Sequence, residues 1–272
     1  MEAEDPLVRS LLSFASVVEA RDPYTGGHLW RVSQLARLLG EELGYTDQTL
    51  FWLQAGAFLH DLGKIAVPDA VLQKPGRLTT EEFAVIRAHP AVGRDLLRQH
   101  PLGHSVIASV YEHHERPDGR GYPRGLDGDD INPLARIVSV ADAFDAMTST
   151  RPYRDGMPIH RALSIVADNR GTQFDAYAAD ALAVLGRTGA LAHVVGHSAP
   201  GLPLLACPAC GPIIALDKAP RDGDLVACPA CPGQFRLHGD GVGFATEFVG
   251  RTAAEERVPQ VDTQTVAALL AA

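Results

Sequence analysis

The chain has 272 residues, of which 46% are hydrophobic and 21% charged, a balance typical of a globular protein with one large or two ordinary domains. No apolar run is long enough to span a bilayer, and the first residues are acidic rather than a basic signal region, so we expect a cytoplasmic protein without membrane segments. The net charge of -9 argues against non-specific nucleic-acid binding, because Lys and Arg carry phosphate affinity, but it does not exclude an anionic small substrate.

Apolar residues at helical spacing predict an all-α domain over residues 1–185. The pattern and its capping residues predict helices over 6–21, from His28 to Gly44, and from Thr46 or Asp47 to Asp61. Further helices are expected after a capping box at Thr79 and Glu82, over 105–114, over 133–149, and over 176–185 behind an N-cap at Asp175. One loop is expected where Pro68 and Pro75–Gly76 lie, and another over 118–130.

The composition changes after residue 185. Gly, Ala, Pro and Ser dominate residues 186–203, which we interpret as a linker. Residues 204–250 carry paired cysteines, turn residues and alternating apolar positions, which predict a small β domain. The polar tail over 251–272 ends in a short apolar run, Val266–Leu270, that either docks or frays.

The adjacent pair His60 and Asp61 is the strongest chemical signal in the helical part. The pair follows an apolar helical run and precedes Lys64, and a carboxylate in such surroundings needs a partner, of which a metal cation is the strongest. Further candidate ligands lie at helix ends or on apolar helix faces, namely His28, His89, His113, His114 and Asp142. Consecutive histidines serve one site best when it holds more than one metal, and imidazole with carboxylate suits Fe, Mn, Zn or Co.

A lone histidine is more often a solvated or hydrogen-bonded residue than a metal ligand. Five histidines and two aspartates in this arrangement make coincidence a poor explanation. We assign His100, His104 and His160 to structural or solvated positions, and Asp95 and Asp145 to caps or solvent.

The motifs together resemble the HD-GYP family, a branch of the HD-domain metal-dependent phosphohydrolases. The resemblance covers residues 6–185 and rests on segments in the family's order: Asp22–His28, His60-Asp61-Leu-Gly-Lys64, His89-Pro90, His113-His114-Glu115, Asp118–Pro123, Ala141–Ser149, Arg151-Pro-Tyr-Arg154 and Gly171–Asp175. It implies an HD-domain helical bundle that hydrolyses cyclic di-GMP to pGpG, with further cleavage to GMP left open.

The resemblance also implies roles for individual residues. One divalent metal would be held by His28, His60, Asp61 and Asp142, and a second by Asp61, His89, His113 and His114, with Asp61 bridging and a hydroxide shared between the two. Fe or Mn is expected, with Zn, Co, Ni or Mg compatible. Asp61 and Lys64 are the expected catalytic residues, with Lys64 neutralising transition-state charge. Substrate contacts are implied for Gly121, Tyr122, Pro123, Arg151 and Arg154.

One departure from the family concerns the number of metals. Some members carry a glutamate, which helps to hold a third metal, at the position of Tyr24, so we expect two metals here. Two alternative functions stay open: an HD phosphohydrolase for another nucleotide, and a catalytically weak module that binds a nucleotide or a signalling partner.

The four cysteines form two Cys-x-x-Cys pairs, Cys207/Cys210 and Cys228/Cys231, separated by seventeen residues. This spacing resembles a zinc ribbon, in which four thiolates hold one structural zinc. Redox dithiols or disulfides are the alternative, but a small domain with little core needs a metal to stabilise it. With three basic and five acidic residues over 201–250, we expect a protein partner rather than nucleic acid. A homodimer is left open.

Overall fold

The computed structural model describes residues 6–22, 26–74, 76–150, 155–210, 213–214, 216, 220–228, 231–239, 243–252, 266–267 and 269–270. Its first part is helical, and its last part consists of short antiparallel strands that carry four neighbouring cysteines. The predicted order, an all-α bundle followed by a small β region, is confirmed.

The helical part contains ten α-helices within the described residues. They are α1 (Pro6–Glu19), α2 (His28–Glu42), α3 (Asp47–Leu59), α4 (Asp69–Leu72), α5 (Thr80–Arg87), α6 (His89–Leu97), α7 (Ile107–Glu112), α8 (Pro133–Thr148), α9 (Ile159–Asp168) and α10 (Ala176–Thr188). Short 3-10 turns lie at Leu62–Ala66, Gly103–Ser105 and Gly128–Asp130. The predicted capping box of Thr79 and Glu82 and the N-cap at Asp175 are both present.

Helix α3 lies at the centre of the bundle. Every residue from Trp52 to Leu59 is buried, so this part of the helix is buried on all sides rather than along one stripe. Leu53 and Ala57 pack in one core cluster with α2, α8 and α10, while Phe58 and Leu59 pack in a second with α1 and α7. The residues that follow α3 therefore lie in the interior of the protein.

Three short helices were not predicted. Helix α4 lies between the expected loop positions Pro68 and Pro75–Gly76, α9 was missed, and α6, which starts at His89, was not predicted as a helix of its own. Pro90 explains the last difference, because proline is well tolerated in the first turn of a helix, whose N–H groups have no partner within the helix.

The segment interpreted as a linker contains ordered structure. Helix α10 extends into it as far as Thr188, and β1 (His197–Ala199) pairs with β2 (Leu202–Pro203) in a hairpin that packs against α2. Residues 197–203 therefore fold as a hairpin within this segment, because turn-rich composition also suits a tight hairpin.

The β region has a small core of its own. Strand β3 (Leu205–Ala206) pairs with β4 (Ile213–Ile214), and β5 (Leu225–Ala227), β6 (Gly233–Gly239) and β7 (Phe244–Arg251) form an antiparallel sheet in that order. The buried residues of its core cluster are Cys207, Ile214, Cys228 and Phe235.

The apolar end of the tail docks on the helical part. Val266, Leu269 and Leu270 are buried in the same cluster as Leu11 and Leu12 of α1. Among the described residues, the helices are all too short or too polar to cross a membrane.

Candidate functional site

The site is built around the residues that follow α3. His60 and Asp61 are 1% and 7% exposed and lead into the 3-10 turn Leu62–Ala66. Gly63 in this turn lies against the start of α6, where an added Cβ would be 1.8 Å from the carbonyl oxygen of His89. Only glycine permits this approach, which sets His89 beside Asp61.

Three histidines of the site share one hydrogen-bonding arrangement. In each, Nδ1 donates to the carbonyl oxygen of the residue three positions earlier, which leaves the Nε2 lone pair free to bind a metal. The pairs are His60 with Ala57 at 2.7 Å, His89 with Ile86 at 2.8 Å, and His113 with Val110 at 2.9 Å. The local chain thus fixes the tautomer of all three rings.

Their Nε2 atoms converge in a way that fits a metal. The buried Nε2 of His60 has no hydrogen-bond partner among the described residues, and the Nε2 atoms of His89 and His113 lie 3.3 Å apart. Two lone pairs cannot satisfy each other. Two nitrogens bound to one cation at about 2.1 Å would be separated by roughly this distance.

Asp61 lies between two groups of histidines. Its Oδ1 is 3.4 Å from Nε2 of His89, while its Oδ2 is 3.4 Å from Nε2 of His60 and 3.6 Å from Nε2 of His28. Lys64 Nζ donates to the same Oδ2 at 2.6 Å. Burial raises the pKa of Asp61, but Lys64 together with the neighbouring His60 and His28 outweighs this effect and holds that pKa well below its usual range, so Asp61 is a carboxylate.

Asp142 and His114 complete the two groups. Asp142 Oδ1 on α8 lies 3.5 Å from Nε2 of His28 and 3.8 Å from Nε2 of His60. His114 has its metal-binding atom within 4.8 Å of those of His89 and His113. Burial lowers the pKa of His114 to about 3, so its imidazole is neutral at neutral pH and able to bind a cation.

Asp145 corrects one of our predictions, because it is neither a cap nor solvated. It is 1% exposed, accepts from Nδ1 of His28 at 2.7 Å, and is paired with the guanidinium of the buried Arg31. Burial raises the pKa of Asp145, but the charge of Arg31 and the hydrogen bonds from His28 and Arg31 together hold it well below the usual range. One signal was available in the sequence, since a residue three positions after Asp142 shares its face of the helix.

A cavity of about 430 Å³ lies beside His114 and Asp142. Gly121 and Tyr122, two of the predicted substrate contacts, line it, whereas Pro123 follows Tyr122 outside the lining. The other predicted contacts, Arg151 and Arg154, lie outside the described residues, as does Tyr24.

The sequence did not identify three cationic side chains and two phenyl rings that line this cavity, those of Arg87, Arg116, Arg120, Phe83 and Phe174. The guanidinium of Arg87 lies 4.4 Å from the centre of the Tyr122 ring. The Tyr122 ring in turn lies 4.7 Å from that of His114, so aromatic and cationic groups adjoin the histidine cluster directly.

The four cysteines form a second, separate cluster. Sγ of Cys210 lies 3.6 Å from that of Cys207 and 3.5 Å from that of Cys228, and Cys207 and Cys231 are 3.8 Å apart. Four sulfurs bound tetrahedrally to one zinc at about 2.3 Å are separated by roughly 3.8 Å, so the cluster fits a zinc ion.

The fold and the site together define a helical protein with a His/Asp metal-binding centre. The HD domain family matches residues 13–177, more than half of the chain, and the chain therefore belongs to this family. Its sequence relatives and structural neighbours place it in the HD-GYP type, as its motifs predicted.

Relatives with assigned names support this placement. The chain is 42% identical over 183 residues to the cyclic di-GMP phosphodiesterase response regulator RpfG of Xanthomonas campestris pv. campestris, covering 66% of this chain and 48% of the relative. It is 40% identical over 163 residues to 3'3'-cGAMP-specific phosphodiesterase 3 of Vibrio cholerae, covering 60% of this chain and 35% of that protein. The chain thus spans about half, or less, of the length of these relatives.

Solved structures share the fold. Bd1817, an HDG"Y"P protein from Bdellovibrio bacteriovorus, superposes with a TM-score of 0.51 at 28% identity, covering 61% of this chain and 53% of that one. A cyclic GMP-AMP specific phosphodiesterase of V. cholerae has the same TM-score at 17% identity, covering 68% of this chain and 50% of its own, and supports the fold alone.

Proposed function

We propose that this chain is a metal-dependent phosphodiesterase that opens cyclic di-GMP to linear pGpG. The observation that carries the proposal is the position of Asp61, whose two oxygens face two different groups of histidines. Relatives named as cyclic di-GMP phosphodiesterases, at about 40% identity, support the substrate.

Two divalent metals would bind in this centre. His28, His60, Asp61 and Asp142 would hold one, and Asp61, His89, His113 and His114 the other, with Asp61 shared. A pair of metals at such a site supplies an activated water and stabilises the charge of an in-line displacement at phosphorus. Mixed imidazole and carboxylate ligands favour Fe or Mn, with Zn, Co, Ni or Mg compatible.

Lys64 and Asp61 act as the catalytic residues of the proposal. The ammonium of Lys64 lies at the edge of the ligand cluster and is partly exposed, so a phosphate oxygen can approach it. Its charge would stabilise the negative charge that develops on the phosphoryl oxygens. Its hydrogen bond to Asp61 also orients that carboxylate toward His28 and His60.

The cavity beside His114 suits the rest of a cyclic dinucleotide. Guanidinium groups bind phosphate oxygens and stack on planar bases, and aromatic rings stack on bases as well. We therefore add Arg87, Arg116 and Arg120 to the contacts proposed from the sequence, which are Gly121, Tyr122, Pro123, Arg151 and Arg154.

A second substrate has specific support. Relatives named 3'3'-cGAMP-specific phosphodiesterases match at 39–40% identity, as well as the cyclic di-GMP enzymes do. The two substrates differ in one base, so the residues that face that base decide between them.

The cysteine cluster would hold one structural zinc. The near-tetrahedral sulfur separations support this assignment. The β region around it has few buried apolar residues, and a bound metal would supply the stability that this core does not.

The experiment incubates the purified chain, loaded with Mn²⁺ or Fe²⁺, with cyclic di-GMP and separately with 3'3'-cGAMP, and separates the products by chromatography. We expect pGpG from the first substrate and loss of turnover in His60→Ala. Any further conversion to GMP appears as a second, slower product. Tight binding without turnover under either metal would overturn the proposal in favour of a binding module.

A further inference from the structure

The hairpin of residues 197–203 packs closely against the start of α2. Gly27, with φ of 72°, precedes the metal-site residue His28, and a Cβ at Gly27 would lie 2.6 Å from the Cα of Ser198. The backbone of the hairpin therefore occupies the space beside the first turn of α2. A segment that follows the helical bundle in sequence thus borders one ligand of the proposed metal centre.

The side chain of Arg31 connects this hairpin to the buried carboxylate of Asp145 through hydrogen bonds. The side chain is 1% exposed, and its Nη1 donates to the carbonyl oxygen of His197 at 2.9 Å and to that of Gly26 at 3.1 Å. Its Nε and Nη2 donate to the two carboxylate oxygens of Asp145, at 2.5 Å and 3.2 Å. The planar fork of the guanidinium makes these contacts simultaneously, which a lysine cannot do.

Asp145 then holds the ring of His28. Its Oδ2 accepts from Nδ1 of His28 at 2.7 Å, which directs Nε2 of that ring toward Asp61 and Asp142. A carboxylate behind a metal-binding histidine fixes the ring's tautomer and orientation. The continuous chain of contacts runs from His28 through Asp145 and Arg31 to the carbonyl of His197.

The ring of His28 is held in a different way from the rings of the neighbouring histidines. His60, His89 and His113 donate to carbonyls three residues earlier in their own segments, so their rings are held locally. The ring of His28 is held instead by distant parts of the chain. Arg31, which supports it, contacts Asp145 and His197, which lie 114 and 166 positions further along the sequence. A change in the hairpin should therefore alter the orientation of His28 and leave that of His89 unchanged.

We propose that Arg31 is a positioning residue through which the hairpin of residues 197–203 sets the orientation of His28 and thereby the metal affinity of one of the two sites. This inference rests on the proposed metal centre but not on the proposed substrate. It makes the hairpin between the helical bundle and the cysteine-rich region a functional part of the centre.

The test measures Mn²⁺ binding to the 272-residue protein by electron paramagnetic resonance of the free ion, with no substrate present. The native protein should bind two Mn²⁺ in the helical part, with the cysteine cluster first filled with zinc. In Arg31→Met we expect one of the two to bind about 10–100-fold more weakly, the usual effect of losing such a supporting contact, while the other keeps its affinity. Arg31→Lys restores one ionic contact with Asp145 and should give an intermediate loss.

Gly27→Ala tests the same coupling, because an added Cβ would meet the Cα of Ser198 in the hairpin and would lie 3.1 Å from Nη1 of Arg31. Its matched control is Gly44→Ala at the other end of α2, where φ is also positive, at 83°, but an added Cβ meets nothing within 4 Å. Both variants carry similar backbone strain, so weaker binding of one Mn²⁺ in Gly27→Ala alone supports the proposal. If Arg31→Met does not fold, as judged by circular dichroism, this pair of variants decides the question.

If Arg31→Met and Gly27→Ala bind Mn²⁺ at both sites with the native affinity, the inference is overturned. It is also overturned if both sites lose Mn²⁺ affinity equally. A shifted Mn²⁺ affinity in a protein that hydrolyses neither cyclic dinucleotide would uphold the coupling and reject the proposed function, so the two outcomes are separable.

Discussion

Lys64 Nζ lies 2.6 Å from Oδ2 of Asp61, the carboxylate that faces both groups of histidines. Each residue affects the pKa of the other: the Asp61 carboxylate raises the pKa of Lys64 against the lowering effect of burial, and Lys64 lowers that of Asp61. The pair therefore stays ionised at neutral pH, with the positive charge at the edge of the site.

Replacing Lys64 by methionine removes this charge and keeps most of the side-chain volume. If Lys64 stabilises the transition state, kcat for cyclic di-GMP should fall about 100- to 1,000-fold, the usual effect of losing one such contact. Metal content measured by mass spectrometry should stay at the native level. Loss of both metals with the activity would instead show that Lys64 acts by holding Asp61 in place.

Replacing Asp61 by asparagine tests the shared ligand. Asparagine keeps the shape of the side chain but has no negative charge to offer two cations, so we expect both metals of the helical part to be lost. His89→Ala is the comparison, because it touches one group and should release one metal only. Retention of a full metal complement in Asp61→Asn would contradict a bridging role.

Replacing Arg87 by alanine tests the cavity. Its guanidinium lies over Tyr122 and Arg87 is not a candidate metal ligand, so we expect KM for cyclic di-GMP to rise about tenfold, corresponding to roughly 1.4 kcal/mol, with kcat nearly unchanged. Arg98→Ala, which removes an exposed arginine that pairs with Asp95, is the control and should leave both constants at their native values. An unchanged KM in Arg87→Ala would place the substrate elsewhere.

Replacing Gly63 by alanine tests the packing that sets His89 beside Asp61. The new methyl group would meet the His89 carbonyl oxygen, and we expect the free energy of unfolding to fall by about 1–3 kcal/mol, as in other overpacked interiors. Gly76→Ala is the control, since an added Cβ there meets nothing within 4 Å. Denaturant titration of both variants measures the difference, and equal stability would mean that the 3-10 turn adjusts freely.

Replacing Cys207 by serine tests the second metal. We expect the protein to lose one zinc per chain, and the two metals of the helical centre to remain, since the clusters share no ligands among the described residues. Atomic emission analysis of the purified protein measures the zinc content and the content of the metals in the helical centre. A zinc content equal to that of the native protein would contradict zinc binding through Cys207.

The helical bundle and the histidine cluster were predictable because their signals are local. Apolar spacing marks α2, α3 and α8, and the pairs His60-Asp61 and His113-His114 are adjacent in the sequence. Boundaries were less accurate: α3 ends at Leu59 rather than at Asp61, and α7 covers Ile107–Glu112 rather than 105–114.

Asp145 and Arg31 were not predictable in the same way. A buried carboxylate and a solvated one look alike in a sequence, and the partner that decides between them lies 114 positions away. The hairpin of residues 197–203 was not predicted for a related reason. Its position is fixed by contacts with α2 and by the space beside Gly27, and its own sequence is too short to show a strand pattern.

The central claim, that Asp61 joins two metals, is tested most directly by anomalous diffraction from crystals of the protein loaded with Mn²⁺ or Fe²⁺. We predict two peaks about 4 Å apart, one beside His28, His60 and Asp142 and the other beside His89, His113 and His114, with one oxygen of Asp61 bound to each. A single peak, or two peaks of which Asp61 binds only one, would contradict the account.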